Sequence, residues 1–319
     1  MPSSLNPDAI VECVPNFSEG TDSSKVEQIV AAMRVDGVHL LDWSLDTAHN
    51  RSVVTIAGPP AAVLESAVRG AGRAAKLIDL TAQKGEHPRI GAADVIPFVP
   101  VSGISLAECV VLARQAGMEI WRRFGVPVYF YEAAAARPDR IRLEDVRRGQ
   151  FEGLRETSHR DPARYPDIGG PEIHPTAGAS AVGARRFLIA YNIYLEPAHR
   201  TGHGPLQAEI TAARAIARAI RATAGGMNGV KAIGVVVNGR AQVSMNITDF
   251  RATPMHQVHA AVRELARNHG AVAVEGELIG LIPEEAFDPD ADWVREVPGF
   301  DPDAKVLERR LHNPLPWPK

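Results

Sequence analysis

The sequence predicts an α+β protein made of two tandem β-α-β-β-α-β subdomains, because the same order of elements occurs twice along the chain. Runs of β-branched and aromatic residues mark the strands, and apolar residues three and four positions apart mark the helices. Such a unit folds as a ferredoxin-like split β-α-β, with its helices on one face of an antiparallel sheet. Two units in tandem predict an α/β sandwich with facing sheets and a ligand cleft between them.

The second unit shows this pattern most clearly. Its four strands are predicted over residues 186–195, 230–237, 241–247 and 271–278. A first helix is predicted over residues 206–221, and Asn238-Gly239 predicts a hairpin turn. Thr253-Pro254 predicts an N-cap followed by proline at the first position of a second helix, which Gly270 ends.

The first unit repeats the order and then continues. Its strands are predicted over residues 10–14, 38–43, 52–57 and 94–99, and its helices over residues 25–34 and 60–78. The capping box that begins at Ser105 opens a further helix ending near Gly125, and a strand over residues 126–131 follows. Residues 137–184 are rich in Pro, Gly and charge, which is typical of either a linker or a binding loop. We expect subdomains over residues 1–183 and 184–319, the second with a C-terminal extension.

Composition excludes several classes of protein. The 319 residues are 45% hydrophobic and 23% charged, as in soluble globular proteins. The net charge of −3 and the lack of a basic run with interleaved aromatics argue against nucleic acid as a partner. No signal-peptide pattern and no apolar run of ~20 residues is present, so we expect a cytoplasmic protein with no membrane partner. The two cysteines, Cys13 and Cys109, are far apart in apolar runs and are interpreted as buried thiols.

The strongest candidate for chemistry is His87, in the segment that runs from Gly85 to Asp94 between a helix and a strand. An unperturbed imidazole titrates at about pH 6.5, so it can accept and donate a proton within one catalytic cycle. Glu86 and Arg89 lie close enough in sequence to set its charge state. The alternative for any single histidine in a turn is an ordinary surface residue.

Two further segments carry polar groups next to strands. Asn50 and Arg51 end the connection that follows Asp42, and Arg51 suits bidentate binding of a carboxylate. A solvated loop is the alternative for that connection. Asn16 and Glu19 follow the first strand and could line a cleft, whereas Cys13 has no evident base partner for a nucleophilic role.

The sequence gives little support for a metal or a nucleotide. The histidines His49, His87 and His174 could combine with Asp42 or Asp94, but none of the usual zinc-ligand spacings is present. The glycine-rich phosphate-binding motifs are also missing from the sequence. We therefore expect no metal, and a metal-dependent hydrolase stays a minor alternative.

Five motifs resemble those of the formimidoyltransferase family, the glutamate formimidoyltransferase domain of formimidoyltransferase-cyclodeaminases. They cover residues 11–20, 49–55, 85–95, 175–179 and 241–249. The resemblance extends over nearly the whole chain, and the helical cyclodeaminase domain is expected to be absent. It implies two α/β subdomains that hold folate between them, and a homodimer. It also implies transfer of a formimidoyl group from N-formimidoyl-L-glutamate to N5 of tetrahydrofolate, a step of histidine degradation, with tetrahydrofolate as co-substrate.

The resemblance places the catalytic histidine on His87, and Glu86, Asp42 and Asp94 are candidates to support it. Donor substrate is expected to contact Asn16, Asn50, Arg51 and Arg89. The folate-contacting loop falls on Gly169, Gly170, Pro171, Glu172, Ile173, His174, Pro175, Thr176, Ala177 and Gly178.

Three positions depart from the family pattern. Ser44 stands where many relatives carry a second carboxylate, so Asp42 or Asp46 would have to replace it. Ala177 stands where some relatives carry tryptophan, and residues 196–204 are longer and richer in histidine than usual. Alternative functions are transfer from another amino-acid donor such as glycine, formyl transfer, action on 5-formyltetrahydrofolate, and folate binding without catalysis.

Overall fold

The computed structural model describes residue 6 and residues 8–47, 49–85, 88–198 and 207–318. The chain divides into two compact units. The first unit runs to Arg185 and also includes residues 314–318, and the second unit is residues 186–313. Each unit combines a β-sheet with helices, so the predicted α+β class is confirmed. In the described ranges, no helix is long and apolar enough to cross a bilayer.

The first unit contains one sheet of seven strands among the described residues. The strands are β1 (Ile10–Cys13), β2 (Asn16–Phe17), β3 (His39–Asp46), β4 (Arg51–Gly58), β5 (Ala93–Ser102), β6 (Val128–Glu132) and β7 (Ser180–Ala184). Strand β4 pairs with β3 on one side and with β1 and β2 on the other, all antiparallel. Strand β5 pairs antiparallel with β1 and β2. Strand β7 then pairs parallel with β5, and β6 pairs parallel with β7.

Five α-helices of the first unit are described. They are α1 (Ser23–Ala32), α2 (Pro60–Leu77), α3 (Leu106–Phe124), α4 (Leu143–Val146) and α5 (Gln150–Thr157). The predicted capping box at the start of α3 is present, since Ser105 accepts from the Glu108 N–H and Glu108 reaches back to Ser105. Gly72 lies inside α2 because a Cβ there would come within 2.1 Å of the Phe124 ring on α3. This glycine therefore lets the two helices pack closely.

The first unit is larger than the predicted repeat. Strand β7 was not predicted, because its five small, fully buried residues show neither alternation nor β-branched enrichment. It lies between β5 and β6, and parallel strands buried on both faces lack the amphipathic pattern of antiparallel ones. The segment over residues 137–184 is also more ordered than an irregular linker, because it contains α4 and α5.

The second unit has the predicted element order. It consists of β8 (Ile189–Pro197), α6 (Gln207–Ile220), β9 (Val230–Val237), β10 (Arg240–Ile247), α7 (Met255–Asn268) and β11 (Ala271–Ile279). The described strands form an antiparallel sheet in the order β11-β8-β10-β9. Asn238 and Gly239 both have positive φ and form the predicted hairpin turn between β9 and β10.

The ends of helix α7 agree with the prediction only in part. Gly270 follows the helix with a φ of 69°, the left-handed conformation expected of a terminating glycine. The predicted N-cap is wrong by one residue, because Pro254 occupies that position and has no capping side chain. The Thr253 hydroxyl instead donates to the Asn228 carbonyl at 2.6 Å, which ties the start of the helix to the loop before β9.

A buried histidine joins α7 to the C-terminal part of the second unit. The Nδ1 of His259 on α7 is hydrogen-bonded to the Tyr191 hydroxyl at 3.0 Å, and its Nε2 lies 3.3 Å from a Glu296 carboxylate oxygen. The Arg263 guanidinium binds the other oxygen of Glu296 at 2.5 Å, and Asp292 is also near enough to affect the imidazole. Burial lowers the pKa of His259, and the Glu296 carboxylate opposes that effect.

The C-terminal residues are packed against both cores in turn. Helices α8 (Asp292–Glu296), α9 (Pro302–Lys305) and α10 (Leu307–His312) belong to the second unit, and Trp293 on α8 is fully buried in its core. The chain then returns to the first unit, where the Leu315 N–H donates to the Leu40 carbonyl of β3 at 2.8 Å. Leu315 and Trp317 pack against the first core.

Candidate functional site

The segment between α2 and β5 carries the predicted catalytic histidine. Glu86 and His87 themselves lie outside the described residues, so the structure gives no contacts for either side chain. The residues on both sides of them are described, up to Gly85 and from Pro88 onward. These flanking residues define the base of the segment that contains His87 in the sequence, called here the His87 loop (residues 84–88).

One buried arginine closes the base of the His87 loop. Arg89 donates from Nε to the Gln83 side-chain oxygen at 2.6 Å and from Nη2 to the Gln83 carbonyl at 3.0 Å. Its guanidinium also forms a two-bond ion pair with Glu152 on α5, at 3.0 and 3.2 Å. Because Arg89 binds both the residue that precedes the loop and helix α5, it holds the two ends of the loop together.

Asn50 joins the loop to two other segments that the sequence singled out. Its Nδ2 donates to the Lys84 carbonyl at 2.7 Å, and its Oδ1 accepts from the Gly20 N–H at 2.8 Å. The Gln83 side chain donates to the Asn50 carbonyl at 3.1 Å. A φ of 48° at Asn50 allows this arrangement, and asparagine adopts that conformation more readily than most residues. Asn50 therefore fixes the His87 loop against the connection after β3 and the turn after β2.

The turn after β2 is also bonded to the segment that follows the loop. Ser18 donates from its hydroxyl to the Gly91 carbonyl at 2.7 Å, and its N–H donates to the Ala92 carbonyl at 3.0 Å. Asn16 lies on β2, half-buried, and its amide donates locally to the Val14 carbonyl. Burial raises the pKa of Glu19, but hydrogen bonds from the Asp22 and Thr21 N–H groups outweigh it and leave that pKa below its usual value. Glu19 thus holds the start of α1.

Three polar residues alternate along β3. Asp42, Ser44 and Asp46 pair with Thr55, Val53 and Arg51 of β4 and so share one face of the sheet. Asp46 accepts from the His49 ring at 2.6 Å and from the His49 N–H at 2.9 Å. Asp46 is therefore engaged by His49, whereas Asp42 is half-buried along the same face.

Asp94 binds two groups that the sequence did not connect. Its Oδ1 accepts from the Ile90 N–H at 2.7 Å, and its Oδ2 forms a close ion pair with Arg147, the residue after α4. Burial lowers the pKa of Arg51, and the neighbouring Arg147 guanidinium lowers it further, whereas Asp94 and Asp46 raise it. Arg147 and Asp94 thus form an ion pair that is bonded to Ile90, close to the end of the His87 loop. Sequence reasoning missed Arg147, because no local pattern distinguishes it within a segment rich in arginine.

Part of the predicted folate loop packs against residues that precede and follow the His87 loop. The Thr176 carbonyl accepts from the Leu80 N–H, and the Ala177 carbonyl accepts from the Ala92 N–H, both at 2.9 Å. Gly178 has a φ of 68°, and a Cβ there would come within 2.1 Å of the Ile90 carbonyl. This glycine permits the close approach of the folate loop to the segment that follows His87.

The members of the folate loop differ in exposure. The side chains of Ile173 and Ala177 are in the core of the first unit, whereas Gly170, Pro171, Glu172 and Pro175 are exposed. The first group therefore supports the loop, and the second group is accessible to a ligand.

His174 is half-buried in this loop, with a fixed orientation. Its Nδ1 accepts from the Ala177 N–H at 3.0 Å and from the Thr176 N–H at 3.3 Å. A nitrogen that accepts two hydrogen bonds carries no proton, so the neutral ring has its proton on Nε2. Burial lowers the pKa of His174, which favours that neutral form.

Neither cysteine is suited to act as a nucleophile. Cys13 and Cys109 are both buried and free. Burial raises the pKa of Cys13 well above its usual value and that of Cys109 to about 12. Because the thiolate is the reactive form, both thiols are inert near neutral pH. Within the part of the chain that the structure describes, no group of three or more His, Cys, Asp and Glu side chains is placed to hold a metal ion.

Comparison with known proteins identifies both units. Residues 10–185 match the N-terminal subdomain of the formiminotransferase domain, and residues 190–302 match the formiminotransferase domain. The chain is 41% identical to a glutamate formimidoyltransferase of Streptococcus pyogenes serotype M1, over 95% of this chain and 98% of that protein. It is also 41% identical to a glutamate formimidoyltransferase of Thermoplasma acidophilum, over 96% of this chain and 98% of that protein. A formimidoyltransferase-cyclodeaminase of Gallus gallus is 40% identical over 87% of this chain, which covers 51% of that longer protein.

Proposed function

The chain belongs to the formiminotransferase family, and we propose that it acts as a glutamate formimidoyltransferase. It transfers a formimidoyl group from N-formimidoyl-L-glutamate to N5 of tetrahydrofolate, and the products are 5-formimidoyltetrahydrofolate and L-glutamate. The observation that carries this proposal is the 41% identity to two glutamate formimidoyltransferases over nearly the full length of each. In metabolism the reaction is a step of histidine degradation.

The reaction needs one group that both accepts and donates a proton. N5 of tetrahydrofolate attacks the amidine carbon of the donor and loses a proton as the tetrahedral intermediate forms. The nitrogen of glutamate must gain a proton as it leaves. His87 takes the first proton and supplies the second, which contributes roughly 10²- to 10⁴-fold to the rate. Holding the two substrates together contributes further, because well-oriented reactants gain about 7–11 kcal/mol over free ones.

The loop geometry supports His87 in this role. Arg89 and Asn50 fix the two ends of the His87 loop to α5 and to the turn after β2. A catalytic base must be positioned within hydrogen-bond reach of the proton that it abstracts, so a loop held at its base is an advantage. Glu86, Asp42 and Asp94 remain the candidates to orient the imidazole.

The donor carboxylates require cationic partners. We assign this role to Arg51, because its planar fork of N–H groups suits bidentate binding of a carboxylate. The Arg89 guanidinium donates hydrogen bonds to Gln83 and Glu152. Arg89 then acts as a positioning residue. Asn16, half-buried on β2, lines the donor site.

Folate contacts are assigned to the accessible part of the folate loop. Glu172, His174 and Thr176 are its exposed or half-buried polar members. The Nε2–H of His174 is a fixed donor, because the turn holds the Nδ1 side of the ring. Tetrahydrofolate is a co-substrate in this scheme, and no metal takes part. We further propose that the enzyme is a cytoplasmic homodimer.

The test is an assay of the purified protein with N-formimidoyl-L-glutamate and tetrahydrofolate. His87→Ala is expected to lower kcat by about 10²-fold or more, in line with loss of a general acid–base group. His159→Ala is the matched control, because His159 is exposed and lies outside all the predicted site segments, so this variant is expected to keep the wild-type kcat. A His87→Ala variant with the wild-type fold and rate would remove His87 from the mechanism.

The choice of donor needs its own comparison. N-formimidoylglycine and 5-formyltetrahydrofolate are assayed beside N-formimidoyl-L-glutamate under the same conditions. The proposal expects the highest kcat/KM with the glutamate donor. A higher value for another donor, or tight folate binding without turnover of any donor, would contradict it.

A further inference from the structure

Strand β3 contains an irregularity at Leu41. Leu40 pairs with Ile56 of β4 and Asp42 pairs with Thr55, so two residues advance on β3 while one advances on β4. Leu41 is therefore the extra residue of a β-bulge. In a regular strand Leu40 and Asp42 would share a face, because every second side chain points the same way. The bulge instead places Asp42 on the face opposite to Leu40, which is fully buried in the first core.

The side chains that follow the bulge are divided between the two faces of the sheet. Trp43 and Leu45 pack against the first core. The alternate residues point to the other face, called here the polar face of β3 (Asp42, Ser44 and Asp46). β-bulges occur often beside active sites, where they re-aim a side chain. The bulge in β3 therefore presents the carboxylate of Asp42 on the polar face.

Asp42 carries an unpaired carboxylate. Its side chain is half-buried, and it forms no hydrogen bond or ion pair with any residue that the structure describes. Two other carboxylates of the first unit are engaged, since Asp46 accepts from the His49 ring at 2.6 Å and both oxygens of Asp94 accept hydrogen bonds. Taking a carboxylate out of water without a partner is unfavourable. A half-buried carboxylate with both oxygens free is therefore suited to a cationic ligand.

Asp42 borders the proposed donor site. Ser44 of β3 and Asn16 of β2 both pair with Val53 of β4, so these three residues form one row on the same face of the sheet. Asn16 also pairs with Val95 of β5, the strand that follows the His87 loop. Asp42 lies two residues along β3 from this row, a distance of about 7 Å. A donor that lies along this row therefore comes within reach of the Asp42 carboxylate.

We propose that Asp42 is a substrate-binding residue that binds the amidinium group of the formimidoyl donor through both carboxylate oxygens. The inference rests on the proposed function for the identity of the donor. An amidine is a strong base and is protonated in neutral water, and its N–H groups form a planar fork like that of a guanidinium. Paired hydrogen bonds between such a fork and a carboxylate are strong and directional. Asp42 thus distinguishes a formimidoyl donor from the neutral formyl compound.

The chemistry of the possible partners favours the donor. Of the two substrates, only N-formimidoyl-L-glutamate contains an amidine, whereas tetrahydrofolate contributes carboxylates and a neutral pterin ring. The imidazole of His87, for which Asp42 is also a candidate partner, offers one N–H on each nitrogen and so uses a single oxygen of a carboxylate. A carboxylate with both oxygens free matches the two N–H groups of an amidinium better.

The first experiment measures binding without turnover. Isothermal titration calorimetry in the absence of folate gives the Kd of N-formimidoyl-L-glutamate and of N-formyl-L-glutamate, in which a neutral carbonyl oxygen replaces the charged nitrogen. We expect the wild type to bind the formimidoyl compound at least about 30-fold more tightly than the formyl compound, because only the former makes a charge-assisted pair. In Asp42→Asn the two compounds are expected to bind within about threefold of each other.

A matched control lies in the turn that precedes β3. Asp36→Asn removes the same charge from an exposed side chain outside the predicted site segments. This variant is expected to keep the wild-type preference for the formimidoyl compound within about twofold. Asp42→Glu keeps the charge but moves it by one methylene, so its preference is expected to lie between those of the wild type and Asp42→Asn.

Kinetics distinguish binding of the donor from orientation of His87. In Asp42→Asn we expect the KM for the donor to rise at least about 10-fold and kcat at saturating donor to fall less than about threefold. The acidic limb of the pH profile of kcat is expected to stay where it is in the wild type. An imidazole that lost a carboxylate partner would instead have a lower pKa, which would displace that limb.

The second experiment needs no variant, so it does not depend on the folding of Asp42→Asn. A crystal structure of the wild type is determined with N-formimidoyl-L-glutamate and without folate. Both amidine nitrogens are expected within about 3.2 Å of the two Asp42 oxygens. An amidine group that lies elsewhere, with Asp42 in contact only with solvent, would overturn the proposal.

The outcomes separate this proposal from the function on which it rests. A preference for the formimidoyl compound that Asp42→Asn abolishes, in an enzyme that transfers no formimidoyl group to tetrahydrofolate, would refute the proposed function and keep the amidinium site. An equal preference in the wild type and Asp42→Asn would overturn the role of Asp42. A fall in kcat with a displaced acidic limb would assign Asp42 to His87 instead. A rise in the KM for tetrahydrofolate alone would assign it to the pterin ring and overturn the donor assignment.

Discussion

Replacing Arg89 by methionine tests whether this side chain closes the base of the His87 loop. The two bonds to Gln83, at 2.6 and 3.0 Å, are short and come from a buried guanidinium. At about 1–1.5 kcal/mol for each, their loss costs about 2–3 kcal/mol. The pair with Glu152 adds less than about 1 kcal/mol, because the Glu152 side chain is 60% exposed and solvated.

Hydrogen exchange measured by mass spectrometry reports this loss where it occurs. A local destabilisation of about 2–3 kcal/mol speeds exchange in a peptide over residues 80–92 by roughly 30- to 140-fold. Glu152→Gln removes the charge of the partner and keeps Arg89, so its expected effect on the same peptide is below about fivefold. Equal effects of the two variants, or no effect of Arg89→Met on this peptide, would refute the reasoning.

Two further predictions concern stability. Gly178→Ala is expected to destabilise the protein by at least about 2 kcal/mol more than Gly125→Ala in urea unfolding. Both glycines have a φ near 65°, but only Gly178 faces a close backbone atom, the Ile90 carbonyl; a difference below about 1 kcal/mol would contradict the packing argument. Between pH 7 and pH 5, the free energy of unfolding is expected to fall less in His259→Gln than in the wild type. Burial lowers the pKa of His259 in the folded state, so folding stability declines as pH falls below the unfolded value of about 6.5. Urea midpoints against pH measure this, and an unchanged slope in the variant would be evidence against it.

The elements with a clear local pattern were predictable from the sequence. Helix α3 has its capping box, and the β9–β10 hairpin has Asn-Gly at its turn. Both signals act between residues that are neighbours in sequence, so they are readable without knowledge of the fold. Strand β7 carries no such signal, because its five residues are small and are buried between two parallel neighbours.

In the candidate site, too, the local features were predictable and the long-range contacts were not. The segment around His87 was recognisable from its residue types, and so was the arginine after the β3–β4 connection. The contacts that hold this region together were not predictable, because they join residues far apart in sequence. Arg147 binds Asp94 across 53 residues, and Arg89 binds Glu152 across 63. Asn50 stays a predicted substrate contact, and the bonds of its amide to the backbone of two other segments were not predictable, because they also join residues far apart in sequence.

The return of the chain to the first unit has a consequence for biosynthesis. Strand β3 pairs with β4 alone among the described strands, and its Leu40 carbonyl is bonded to the Leu315 N–H only once residues 314–318 are in place. A ribosome makes the chain from the N-terminus, so the whole second unit is synthesised before this edge receives its last partner. During that interval β3 is an unprotected sheet edge, the kind of surface that pairs wrongly with other chains. Residues 314–318 thus bind to this edge of the first unit only after the second unit has been synthesised.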